Sequence, residues 1–154
     1  LNRTEKANKV YLNLIDAVDA DAFIVHARIA TDTYATPADY EALAECADHA
    51  NARGKKVVAN GDVHTKEQVA HVRAMGCAGV MIGRAAVFDP AIFDRLKGND
   101  APSAEALACE YEKLCAQFPS ANKYRKNVSK RLGRPVTTIA ELWNGDGEQD
   151  SVMG

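Results

Sequence analysis

The chain has 154 residues, 47% of them hydrophobic and 26% charged, the make-up of an ordinary globular protein with one core, or one core and an appendage. No apolar run approaches the ~20 residues that would span a bilayer and no signal-peptide pattern opens the chain, so the expectation is a cytoplasmic protein with no membrane partner. The net charge of −2 excludes a general polycation. Leu1 is not methionine, and the expectation is that this stretch begins partway through a longer protein. The four cysteines, Cys46, Cys77, Cys109 and Cys115, contain no CxxC pair. Their spacing suits neither a zinc site nor a disulfide framework, and they read as reduced thiols of the core or surface.

In chain order, Glu5 to Val18 reads as one helix, with Val10, Leu14 and Val18 on a single face. Ala22 to His26 (AFIVH) is a short apolar, β-branched run and reads as a buried strand. Thr36, Pro37 and Asp39 form a helix start, with Thr36 as the cap and Pro37 in the first helical position, and the helix should run to about Ala52 and stop near Gly54. Lys56 to Asn60 (KVVAN) is the second strand. Thr65 with Gln68 is a capping box that opens a helix carrying Val69, Val72 and Met75 up to Gly76. Gly79 to Gly83 (GVMIG) is the third strand. This alternation implies parallel strands joined by helical crossovers, with both faces of the sheet covered.

After Arg84 the pattern changes. Phe88 to Leu96 reads as a short helix, Gly98 to Pro102 as a linker, and Ser103 to Gln117 and Ala121 to Leu132 as two further helices. Asn144 to Gly154 is Gly- and Asp-rich and reads as a disordered tail. Six basic residues (Lys123, Arg125, Lys126, Lys130, Arg131 and Arg134) stand between Ala121 and Arg134 with no acidic one. The rest of the chain is therefore acidic, and this stretch is suited to meeting a polyanion. Lys123, Lys126 and Lys130 fall on one helical face.

The chemistry concentrates at the ends of the three strands: Val25-His26-Ala27-Arg28, then Asn60-Gly61-Asp62, then Gly83-Arg84. Parallel α/β folds bind ligands at the carboxyl edge of the sheet. Gly61 and Gly83 allow close backbone approach, and Arg84 supplies a guanidinium that matches phosphate. Together they make a phosphate cradle. In (β/α)8 barrels such a site often lies after the last two strands; the strands here are too few to close a barrel, so the chain is half a barrel or a smaller open fold. His49, His64 and His71 share no ligand spacing and read as surface or capping residues, and no metal site is expected.

The stretches IVHAR (24–28), Tyr34 with Pro37-Ala38-Asp39, VVANGDV (57–63) and GVMIGRAAVFDPAIF (79–93) resemble the tRNA-dihydrouridine synthases. The resemblance is close from Asp21 to Phe93 and looser through Lys123 to Leu132. NGD alone is a weak motif, but NGD followed by MIGRAA and an Asp-Pro is specific. It implies an α/β fold: the C-terminal half of a TIM (β/α)8 barrel over residues 1–97, followed by a small all-helical tRNA-binding domain over 103–143 and a tail over 144–154. It implies FMN, held through groups matching His26, Asn60, Gly61, Asp62, Gly83 and Arg84, with NADPH as reductant. It places Arg28 toward the substrate, and the basic face of Lys123, Lys126 and Lys130 would bind tRNA. The implied reaction is reduction of uridine to dihydrouridine by an enzyme that is monomeric when full-length. The family's acid cysteine and flavin-facing lysine have no counterpart here and would lie before Leu1. The alternatives are another FMN-dependent TIM-barrel oxidoreductase, which has no need of the basic helix, and a non-catalytic RNA-binding module.

Overall fold

A computed structural model of the chain describes residues 1–33, 35–118, 125, 126, 128, 129 and 132. It resolves into two compact units, Leu1–Ile82 and Gly83–Gly154. No helix among the described residues is long and apolar enough to cross a membrane.

The first unit runs α1 (Arg3–Ala7), α2 (Val10–Ala17), β1 (Ala22–His26), α3 (Tyr40–Asn51), β2 (Lys56–Asn60), α4 (Lys66–Ala74) and β3 (Gly79–Met81). The single helix expected from Glu5 to Val18 is two. Asn2 and Glu5 form a reciprocal capping box that starts α1 early, and Lys9 breaks the run in the left-handed region at φ 54°. The break has a tertiary cause. Lys6 pairs with Asp39, Lys9 Nζ donates to Glu45 Oε1 at 2.7 Å, and the Tyr11 hydroxyl donates to Glu45 Oε2 at 2.6 Å, so α3 dictates the path of these residues. The start of α3 also moves, from Pro37 to Tyr40. Asp39 is the cap itself and accepts from the N–H groups of Glu41 and Ala42. The residues before it are occupied elsewhere: Ala38 N–H donates to Asp62 Oδ2 at 3.0 Å and Asp39 N–H to Ala27 O at 2.7 Å. The Thr65–Gln68 capping box forms as the sequence indicates. β3 ends two residues before Gly83.

The strands are parallel in the order β1-β2-β3. Register sets Phe23 beside Val57 and Val25 beside Ala59 and Val80. These residues join Ile15, Leu43, Cys46, Ala47, Ala50, Val72 and Cys77 in one apolar cluster under the helices. Lys55 closes α2 over this core, its Nζ donating to Ile15 O at 2.6 Å and Val18 O at 2.8 Å. The other face carries Ile24, Val58 and Met81, and no helix of this unit covers it: Ile24 is 62% exposed and Met81 44%. The expectation of two covered faces is therefore corrected. When strands are added side by side in one direction, right-handed crossovers place every connecting helix on the same side, and only a reversal of strand order covers the second face. This sheet has no reversal.

In the second unit the helix expected at Phe88–Leu96 is replaced by α5 (Arg84–Phe88) and α6 (Ile92–Lys97). Pro90 explains the gap, because a residue before proline is pushed out of the helical region, and Asp89 sits at φ −127°, ψ 86°. Asp89 is 3% exposed and organises the turn, accepting from Ala91 N–H and from Arg95 Nε. α7 (Ala104–Gln117) begins after the Ser103 cap. Arg125, Lys126, Val128 and Ser129 are helical, while the remainder of the expected 121–132 helix, apart from Leu132, and the 144–154 tail lie outside the described residues.

Candidate functional site

The carboxyl edge of the sheet is where the sequence placed its chemistry, and the strand ends do stand together. His26, Asn60 and Met81 occupy one register row across β1, β2 and β3. The row lies on the bare face, because alternation along each strand sends the neighbouring Val25, Ala59 and Val80 into the helical core. His26 is exposed and Asn60 half-buried.

Beyond β2 the backbone turns through two successive residues with positive φ, Gly61 at 127° and Asp62 at 59°. Gly61 requires its missing side chain. A Cβ there would meet Ala38 Cβ at 3.2 Å and would lie 3.8 Å from both His26 Cε1 and Arg28 Nη1. The Gly61 turn is thus packed directly beside the end of β1. The Tyr40 hydroxyl donates to Gly61 O at 3.2 Å, and the Tyr40 and His71 rings meet in a T-shaped contact with 5.8 Å between centroids. His64, read from sequence as a surface or capping residue, bonds the turn through Nδ1 and the Asp62 carbonyl at 2.9 Å.

Arg28 and Asp62 take up an arrangement that the sequence reading missed. Each follows a register partner by two residues, Arg28 after His26 and Asp62 after Asn60, so the chain delivers opposite charges to adjacent positions. Arg28 Nη2 donates to Asp62 Oδ2, and the two side chains are 4% and 5% exposed. Arg28 Nε donates to Thr36 O at 2.6 Å. The pair therefore ties the β1–α3 loop to the β2–α4 turn. Opposite charges at equal offsets beyond two consecutive parallel strands were the signal available in the sequence. Tyr40 and Ala38 had none, since one acts through a hydroxyl and the other through its backbone.

Gly83 and Arg84 belong to the second unit. Gly83 is exposed, and a Cβ built on it would meet no atom within 4 Å. Arg84 opens α5 and is half-buried. Of the basic stretch, Lys126 is exposed, and Arg125 is held by Glu112 of α7, whose other carboxylate oxygen accepts from Ser129 Oγ at 3.2 Å. Lys123 and Lys130 lie outside the described residues. Cys46 and Cys77 are buried in the sheet–helix core, and burial pushes the Cys46 thiol up to about 11. Cys109 is exposed and Cys115 half-buried on α7. A cavity of about 280 Å³ lies beside the end of β1, lined by Tyr11, Val25, His26, Arg28 and the Lys6–Asp39 pair.

Comparison with known proteins agrees with the motifs. A family model described as dihydrouridine synthase matches residues 3–148. The tRNA-dihydrouridine(16) synthase of Ralstonia nicotianae is 42% identical over 81 residues, covering 52% of this chain and 24% of that protein. The tRNA-dihydrouridine(16) synthase of Cupriavidus necator is 35% identical over 115 residues, covering 68% of this chain and 35% of that protein. A probable tRNA-dihydrouridine synthase of Mycobacterium tuberculosis is 33% identical over 99 residues, covering 61% and 25% respectively. The matched stretches thus span 24% to 35% of these relatives' length.

Proposed function

The chain belongs to the dihydrouridine synthase family, and on that premise we propose that the protein reduces uridine to dihydrouridine in tRNA, using FMN with NADPH as reductant. The observation that carries this reading is the register row of His26 and Asn60 with the Gly61 turn packed beside it. A phosphate is held well where imidazole, amide and backbone groups converge on a surface that no side chain fills.

The residues fit such a group. Gly61 is buried in a turn that packs next to His26 with no room for a side chain, and Gly83, which follows β3 in the chain, has open space where a side chain would stand. We assign His26, Asn60, Gly61, Asp62, Gly83 and Arg84 to the flavin site, with Asp62 acting through the turn it stabilises. When bound, the flavin supplies the hydride for the uracil ring. The part played by this chain is to bind and orient the phosphate end. The proton donor is assigned elsewhere, because Cys46 and Cys77 are buried in the core and Cys109 and Cys115 lie on α7.

The sheet supports a TIM-barrel reading. Strands wound in one direction, with helices on one side and an apolar, uncovered opposite face, are what a segment of a (β/α)8 barrel presents when its inner face is viewed alone. A helical domain over 103–143 then offers Lys123, Lys126 and Lys130 to the tRNA backbone, binding by charge. The enzyme is assigned to the cytoplasm, as a monomer.

The test is to purify the full-length protein and examine it for bound flavin, then to incubate it with NADPH and unmodified tRNA and assay dihydrouridine. The expected result is a yellow protein that releases FMN on denaturation and forms dihydrouridine. A protein that takes up no flavin would remove the proposal.

A further inference from the structure

We infer that Arg28 and Asp62 form a positioning pair, which fixes the Gly61 turn for the phosphate end of the cofactor without itself touching cofactor or substrate. The inference rests on the flavin reading above and deepens it, because it separates the residues that meet the ligand from those that hold them.

The first ground is burial. At 4% and 5% exposure the two side chains present almost no surface to a flavin or an RNA, whereas His26 at the same edge is exposed. The second is connectivity. A single carboxylate oxygen, Asp62 Oδ2, accepts from Arg28 Nη2 and from the Ala38 N–H, and Arg28 Nε donates to Thr36 O. The loop of residues 27–39 and the turn after β2 are thereby clasped from both ends. The third is conformation. Asp62 at φ 59° follows Gly61 at φ 127°, and a backbone held in sparsely populated regions persists only where its surroundings over-determine it. Here the surroundings are the ion pair on one side and the Tyr40 hydroxyl on Gly61 O on the other.

Electrostatics gives the pair a second use. A lone carboxylate next to a phosphate would repel it. Arg28 cancels that charge inside the protein, so the turn can approach an anion without a net negative charge behind it. Arg28 is then a structural counter-ion of Asp62, and its expected place toward the substrate is reassigned.

The experiment compares FMN with riboflavin, which has the same ring system and no phosphate, by flavin fluorescence on the full-length protein. Asp62→Asn keeps the shape and tolerates a left-handed backbone, and Arg28→Lys keeps the charge but loses the fork. Each should weaken FMN by about tenfold or more while changing riboflavin less than about threefold, since the loss acts on the phosphate end. Tyr40→Phe removes only the hydroxyl on Gly61 and should weaken FMN by roughly fivefold with riboflavin unchanged, the size of one hydrogen bond. Should the charge variants fail to fold, Tyr40→Phe decides, and an unchanged FMN-to-riboflavin ratio there overturns the inference. Equal losses for both flavins in folded variants overturn it too. So does unchanged FMN affinity with a raised KM for tRNA in Arg28→Lys, which would return Arg28 to the substrate. A wild-type protein that binds neither flavin defeats the flavin reading itself, and the inference with it.

Discussion

Ile24 offers the sharpest test of the barrel reading, because its environment in the whole protein differs from what this segment alone provides. It lies mid-strand in β1 on the bare face and is 62% exposed. Full burial of an isoleucine side chain is worth ~1.5–3 kcal/mol, so covering the remainder would add about 1–2 kcal/mol. A lysine in a packed barrel interior loses that gain and leaves an unpaired charge out of water, at a further cost of several kcal/mol. Ile24→Lys should therefore destabilise the full-length protein by about 3 kcal/mol or more. Leu43→Ala is the control on the helical side, where the side chain is fully buried, and should cost ~2–5 kcal/mol. If the face stays in water, Ile24→Lys should change stability by no more than about 0.5 kcal/mol. Urea unfolding followed by circular dichroism measures both. A midpoint for Ile24→Lys at the wild-type value, with the expected loss for Leu43→Ala, would refute the assignment of this face to a barrel interior.

Other outcomes follow from the same geometry. Lys55→Met removes two charge-assisted bonds at the C-terminal end of α2 and should cost about 1–2 kcal/mol in urea unfolding, after allowance for partial exposure. Gly61→Ala places a Cβ against Ala38 at an unfavourable φ, so a stability loss of ~1–3 kcal/mol with weakened FMN binding is expected by calorimetry and fluorescence. The Lys6 ammonium, then the Ala42 N–H, holds the Asp39 carboxyl below its ordinary value, and Lys9 and then Tyr11 do the same for Glu45. Both groups bind protons more weakly folded than unfolded. Their contribution is complete above the ordinary carboxylate range and is lost as pH falls through the lowered values, so the urea midpoint should drop below about pH 4. In a Lys6→Met, Lys9→Met double variant that drop should be shallower; an equally steep one would remove these pairs from the acid response. Cys109 should react with a thiol reagent at neutral pH, while Cys46, buried and pushed up to about 11, should react only after unfolding.

Much of the local structure was legible from short-range chemistry. β1 and β2 occupy the residues their β-branched runs indicated, and the Thr65–Gln68 box and the Ser103 cap start their helices where the side chains allow. Failures occurred where distant groups intervened. Lys9 and the residues before Tyr40 follow partners on other elements, and no local propensity encodes Glu45 or Asp62 as the deciding neighbour. At the site, the residue types at the strand ends were readable, but the pairing of Arg28 with Asp62 was not, because a sequence lists charges without saying which of them face each other.

By itself the sequence determined the strand runs, the Gly61 turn and the motifs that mark the family, since each depends on residues adjacent in the chain. Tertiary structure alone decided that the helices of the first unit share one face of its sheet and that two strand-end charges face each other. Both outcomes follow from strand order and register, which bring together residues that no spacing along the chain relates.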